Sequence, residues 1–206
     1  MRLLRFGELA MLLECELPDQ VAALQAAVAA LDLPVTDLVP GARTLLVRVA
    51  EAADYRPVWL RLEDLLAEPL TPAPAAAAEQ TVTIGVHYDG PDLAQVAALT
   101  GLDAAEVVAA HTGLPWRVAF GGFAPGFAYL DSGDPRLVVP RLETPRTAVP
   151  AGAVALADGY SGIYPRSSPG GWQLIGRTSA ILWDADSEPP ALLLPGWWVR
   201  FVAVEQ

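Results

Sequence analysis

Twelve residues, Glu68-Pro69-Leu70-Thr71-Pro72-Ala73-Pro74-Ala75-Ala76-Ala77-Ala78-Glu79, divide this chain into two textures. Three prolines exclude a helix interior there, and no amphipathic period runs through the segment, so it reads as a semi-rigid connector. Before it, residues 1–80 contain only Gly7 and Gly41; the remaining 15 of 17 glycines fall in 81–206. Glycine sits where the backbone must turn sharply, so the second part is a succession of short segments and corners. At about 100–200 residues per domain, 206 residues allow two small domains. We expect a domain at 1–79, with the connector at its end, and another at 80–206.

The first part reads as α+β. Leu9 to Glu14 is a short apolar run. Pro18 to Leu31 places Val21, Leu24, Val28 and Leu31 on one helical face. Val35 to Val39 and Thr44 to Val49 read as strands joined through Pro40-Gly41. Asp54 to Leu66 gathers Tyr55, Val58, Trp59, Leu62, Leu65 and Leu66 on a second face. Val82 to Val86 either completes a ferredoxin-like split arrangement or opens the second domain. After Asp89-Gly90-Pro91, one helix runs from Asp92 to Thr100 and stops at Gly101. Another starts at Asp103 with Glu106 three residues on, a capping-box pattern, and stops at His111-Thr112-Gly113. From Leu114 the pattern is all-β. Arg117 to Phe120, Ala153 to Ala157, Trp172 to Gly176, Ala180 to Trp183 and Trp198 to Val204 suggest a barrel or sandwich of short strands.

Composition excludes several chemistries. All 13 basic residues are Arg, against 24 acids, for a net charge of −11. Without clustered cations a phosphate backbone is not a partner, so no nucleic acid is expected. Without Lys there is no P-loop, Schiff base, biotin carrier or Ser–Lys amidase. Cys15 alone forbids an intrachain disulfide, and with His87 and His111 it makes a poor metal set; no metal site is expected. No run reaches the roughly 18 apolar residues of a membrane span, and the start shows no export signal. The expectation is a cytoplasmic protein with no membrane partner.

Three segments could carry chemistry. In Gly121-Gly122-Phe123-Ala124-Pro125-Gly126-Phe127-Ala128-Tyr129, glycine permits close approach to a ligand and Phe123, Phe127 and Tyr129 could wall it; the alternative is a tight corner with its rings packed inward. Arg141 and Arg146, five apart among prolines, suit an anionic substrate, since a planar guanidinium grips a carboxylate or phosphate with two parallel hydrogen bonds. Each could equally be a surface ion pair. The Ser167-Ser168-Pro169-Gly170-Gly171-Trp172 stretch could hold an anion on backbone N–H groups or be a hairpin turn. His111, at a helix C-terminus, is placed to be protonated and is a candidate general acid or base, or simply a cap.

In order along the chain come Asp92-Leu93, Glu106-Val107-Val108 with His111, Gly122-Phe123-Ala124-Pro125-Gly126-Phe127 with Tyr129-Leu130, Pro140-Arg141, Pro145-Arg146 with Val149-Pro150-Ala151-Gly152, Gly162-Ile163-Tyr164-Pro165, Ser168-Pro169-Gly170-Gly171-Trp172, Ile175-Gly176-Arg177-Thr178, and Pro195-Gly196 with Val199-Arg200-Phe201. Together they resemble the KipI/PxpB family, long labelled allophanate hydrolase subunit 1. Ala153 stands where that family usually has Ser, and Trp197 where it usually has Asp.

The resemblance implies an α+β fold: a small α+β N-terminal domain and a cyclophilin-like all-β barrel. It implies one subunit of an ATP-dependent 5-oxoprolinase, inactive alone, acting with a KipA/PxpC-type and a LamB/YcsF (PxpA)-type subunit. ATP would be bound by or with a partner; whether Mg²⁺ accompanies it is left open. The alternatives are a histidine-kinase inhibitor and a carboxyltransferase-type subunit of urea or allophanate metabolism, which would need a biotin-bearing partner. Candidate catalytic residues are His111 and Arg146. Candidate substrate-binding residues are Gly122, Phe123, Pro125, Gly126, Phe127, Arg141, Tyr164, Ser168, Gly170, Gly171, Trp172 and Arg177.

Overall fold

A computed structural model describes residues 1–67 and 80–205. The connector expected over 68–79 lies outside the described residues. The chain divides into two compact units, Met1–Ala77 and Ala78–Gln206.

The first unit holds β1 (Arg2–Arg5), β2 (Ala10–Glu14), α1 (Gln20–Ala29), β3 (Val35–Pro40), β4 (Thr44–Val49) and α2 (Ala52–Ala67). The strands form an antiparallel sheet in the order β1-β2-β4-β3. Alternation buries Met11 and Leu13 on β2 and Leu45, Val47 and Val49 on β4. Val21, Leu24 and Val28 of α1 and Val58 and Leu62 of α2 close over them. The periodic segments thus land where their spacing placed them. The fourth strand is not Val82 to Val86 but β1, a short segment at the start of the chain. Its four residues, Arg2-Leu3-Leu4-Arg5, are too few for a pattern to mark them.

In the second unit β5 (Thr81–Val86) lies parallel to β13 (Trp198–Ala203), in register from Thr81–Trp198 to Val86–Ala203. Between them come α3 (Leu93–Thr100), α4 (Ala104–Gly113), β6 (Trp116–Gly121), β7 (Ala128–Asp131), β8 (Arg146–Val149), β9 (Ala153–Ala157), β10 (Tyr160–Ile163), β11 (Ser168–Gly170) and β12 (Gln173–Arg177). Seven strands form one sheet in the order β12-β9-β10-β7-β6-β13-β5, and β8 pairs with β11 separately. The outer strands of the large sheet meet. His87, just past β5, and Arg177, ending β12, exchange both backbone hydrogen bonds at 2.9 Å. That contact nearly closes the sheet into a barrel and leaves little open edge.

Helix α3 ends on Gly101 at φ +71, and α4 begins with the full Asp103–Glu106 capping box, both hydrogen bonds at 2.8 Å. The helices contact β12 and β13. Val96, Val107 and Ala110 join Trp116, Leu130, Leu156, Ile175 and Phe201 in the main core. Ala180 to Trp183 is not a strand; only Trp183 bridges, to Ala191. Among the described residues no single helix is long and apolar enough to cross a membrane.

Candidate functional site

A second, ring-rich cluster lies on the barrel around Phe127, Tyr164 and Trp172, all nearly buried. Phe127 meets Tyr164, Trp172 and Tyr129 edge-to-face at 5.5, 5.5 and 5.1 Å. Such T-shaped contacts set positive ring edges against negative faces. Gly162 permits this packing, since a Cβ there would come within 3.0 Å of both Phe127 and Trp172.

The Gly122–Phe127 loop is a tight corner, with one ring packed inward and one left outside. Backbone hydrogen bonds close it on itself, with Ala124 N donating to Gly122 O at 2.8 Å and Phe127 N to Ala124 O at 2.9 Å. Gly126 has φ +82, and a Cβ there would strike Leu182 O at 2.8 Å. Phe127 packs inward. Phe123 is held at φ +70 and left 59% exposed beside exposed Pro125, its ring edge-on to Phe127 at 5.3 Å. A left-handed, solvent-facing Phe is a strained arrangement and marks the outer lip of the ring cluster.

Two guanidinium groups converge on Tyr164. Arg141 lies over the Trp172 ring, 6.0 Å from its centre, and donates from Nε to Asp158 at 3.1 Å. Arg146 opens β8 and donates from Nη2 to Asp92 Oδ1 at 2.6 Å. Burial pushes the Tyr164 hydroxyl up; the Trp172 backbone N–H that donates to it, with Arg141 and Arg146 nearby, opposes that rise. The surface-ion-pair reading therefore holds for Arg141, whose pair with Asp158 is more than half exposed. Arg146 is different, because Asp92 is only 5% exposed and its other oxygen accepts from the Leu174 N–H at 2.6 Å. This carboxylate ties the segment before α3 to both β8 and β12.

Asp92 is the residue that sequence reasoning left without a role. It stands just before α3, and its side chain makes no capping bond there. Only the tertiary approach of β8 and β12 redirects it.

Around the same strands, buried polar atoms lack protein partners: Arg146 Nη1, Ser168 Oγ and Gln173 Oε1. Gln173 Nε2 is used, donating to Pro140 O at 3.1 Å. Unmatched buried donors and acceptors are costly unless water or a ligand meets them. Arg146 offers a donor, Gln173 an acceptor and Ser168 either, which suits a small polar molecule with an amide or carboxylate.

The Ser168–Gly171 segment is neither an anion nest nor a hairpin turn. Ser168–Gly170 is strand β11 on β8, and Gly171 O accepts from Leu142 N at 2.7 Å. Gly170 backs directly against the Tyr164 hydroxyl, where any Cβ would collide. Arg177 lies apart, at the barrel seam, donating to Asp89 at 2.8 Å. Its side chain is 57% exposed, so this is a surface pair rather than a third clamp.

His111 requires the firmest correction. It is 0% exposed, with Nδ1 2.7 Å from the Tyr88 hydroxyl and Nε2 2.8 Å from Ser161 Oγ. Its ring stacks on Phe201 at 4.3 Å, and its carbonyl accepts from the Trp116 indole at 3.0 Å. Burial lowers its pKa to about 3, so it is neutral. A general acid or base must reach its substrate, and both ring nitrogens are already committed inside the core. His111 is a structural pin between α4, β10 and the segment after β5.

Among the described residues no group of three or more His, Cys, Asp or Glu is arranged to hold a metal ion.

Comparison with known proteins fits this architecture. Residues 1–193 match the family model described as carboxyltransferase domain, subdomain C and D. The chain is 38% identical over 203 residues to the B-type subunit of 5-oxoprolinase from Escherichia coli O157:H7, covering 95% of this chain and 93% of that one. It is 43% identical over 128 residues to the corresponding 5-oxoprolinase subunit of Bacillus subtilis, covering 61% and 53%. Among solved structures, TTHA0988 superposes with a TM-score of 0.77 at 36% identity, over 96% of this chain and 40% of that longer one. The Kluyveromyces lactis urea amidolyase, at 14% identity and a TM-score of 0.72 over 98% of this chain and 15% of that one, shares the fold. Matched along nearly its whole length, the chain belongs to the carboxyltransferase-domain C and D family, in its KipI/PxpB branch.

Proposed function

We propose that this chain is the B-type subunit of a heteromeric, ATP-dependent 5-oxoprolinase. The reaction consumes 5-oxoproline, ATP and water and yields glutamate, ADP and phosphate. The single observation that carries the reading is the similarity to the Escherichia coli subunit, which spans 93% of that protein. The site chemistry supports it. The substrate presents a carboxylate and a lactam, one wanting a guanidinium and the other both a donor and an acceptor. Arg146 supplies the first, through its unpartnered Nη1, and Gln173 Oε1 with Ser168 Oγ the second.

Opening a lactam is eased when its carbonyl oxygen is phosphorylated and water attacks the activated carbon. This chain has no Lys to cradle phosphates, and its described residues form no acidic trio for Mg²⁺. On this reading the nucleotide–metal site needs groups from other subunits. We place that site on, or shared with, the KipA/PxpC-type and LamB/YcsF-type subunits.

The test is ATP-dependent glutamate release. We expect none from this chain alone and turnover when both partner subunits are added. Arg146→Gln should cut turnover in the full mixture by about tenfold or more. A full mixture without activity overturns the reading.

A further inference from the structure

The first unit carries a groove remote in sequence from the barrel residues discussed above. Tyr55, Arg56 and Trp59 of α2, spaced i, i+1 and i+4, form one side; Arg5, Gly7 and Glu8 from the β1–β2 turn form the other. The groove offers about 890 Å³, within the range of small-molecule sites. Gly7, at φ +74, turns the chain, and nothing stands within 4 Å of the place a Cβ would take, so that end stays open.

Four observations point to a ligand. The Tyr55 and Trp59 rings stack, 20° apart with centroids at 6.0 Å, and give the groove an aromatic side. Arg5 sits over the Tyr55 ring at 5.5 Å, its charge positioned by the ring face. The Tyr55 hydroxyl is buried without a partner. Neither Arg5 nor Arg56 forms an ion pair among the described residues, although acids outnumber Arg by 24 to 13. Glu8 lines the same groove without pairing to either guanidinium. Its charge disfavours a second anionic group on any occupant, so a monocarboxylate suits the groove better than a phosphate ester or dicarboxylate.

We propose that this groove binds a small monocarboxylate with a flat apolar body: the carboxylate on Arg5 and Arg56, the body along Tyr55 and Trp59, and the Tyr55 hydroxyl as a further hydrogen bond. The site belongs to the first unit and does not depend on the 5-oxoprolinase reading.

The test uses the full chain and indole-3-acetate as probe, with indole (body without charge) and glutamate (a dicarboxylate without a flat body) as the other arms, read by calorimetry and saturation-transfer NMR. We expect saturable binding of indole-3-acetate, and indole and glutamate each weaker by about tenfold or more. Arg56→Gln and Tyr55→Phe should each weaken it by about fivefold to tenfold. Arg166→Gln, which removes one charge from the second unit, should leave it unchanged, and thermal unfolding checks that each variant is folded. No saturable binding up to about 10 mM overturns the proposal, as does equal binding of indole or indifference to both groove variants.

Discussion

His111 shows how burial decides a residue's chemistry. A helix C-terminus favours a protonated imidazole by at most about 2 kcal/mol, worth roughly 1.5 pK units. Full desolvation works the other way and lowers the pKa from 6.5 to about 3. The consequence has a sign. An unfolded chain takes up a proton as pH falls through 6.5, while the folded one refuses it until about 3. This residue therefore contributes stability in full above 6.5 and loses it as pH drops, by about 1.4 kcal/mol per unit. Urea unfolding at pH 7, 6 and 5 should show a falling midpoint, and His111→Gln should flatten the fall between 6.5 and 5, where carboxylates titrate little. An equal slope in both proteins would refute the account. Asp92 makes the complementary point: a buried carboxylate is tolerated because Arg146 and the Leu174 N–H both meet it.

Among elements, the Gly122–Phe127 loop is tightly constrained. Gly126 combines a left-handed φ of +82 with backbone from the Leu182 segment 2.8 Å from where a side chain would begin. Gly126→Ala should cost about 2 kcal/mol in thermal or urea unfolding. Gly122→Ala, with ordinary φ and 3.6 Å to the Tyr129 ring, should cost less than half as much. The same loop presents Phe123 to solvent, so Phe123→Ala should leave stability nearly unchanged while altering whatever the ring cluster contacts.

Across the whole molecule, each unit has its own core, one around Leu13, Leu45 and Leu62 and another around Trp116, Leu130 and Phe201. A chain of residues 78–206 should unfold cooperatively alone, as seen by calorimetry, because its outer strands meet at His87 and Arg177 without help from the first unit. Loss of a sharp transition in that fragment would contradict independent cores.

Local patterning alone reached much of this protein. Amphipathic spacing located α1 and α2, Gly101 and the Asp103–Glu106 box bounded α3 and α4, and the absence of Lys excluded whole reaction classes, because each of these is a property of neighbouring residues or of composition. Ordered motifs pointed to the family and to Arg141, Arg146, Tyr164 and Trp172. Tertiary packing alone decided the rest: that β5 joins β13 rather than the first sheet, that β1 and β11 are strands, that Asp92 anchors Arg146, that Arg177 stands apart, and that His111 is sealed and neutral. Those outcomes depend on which segments distant in sequence approach one another. Burial, pairing and charge state follow from that approach and are not written in any local pattern.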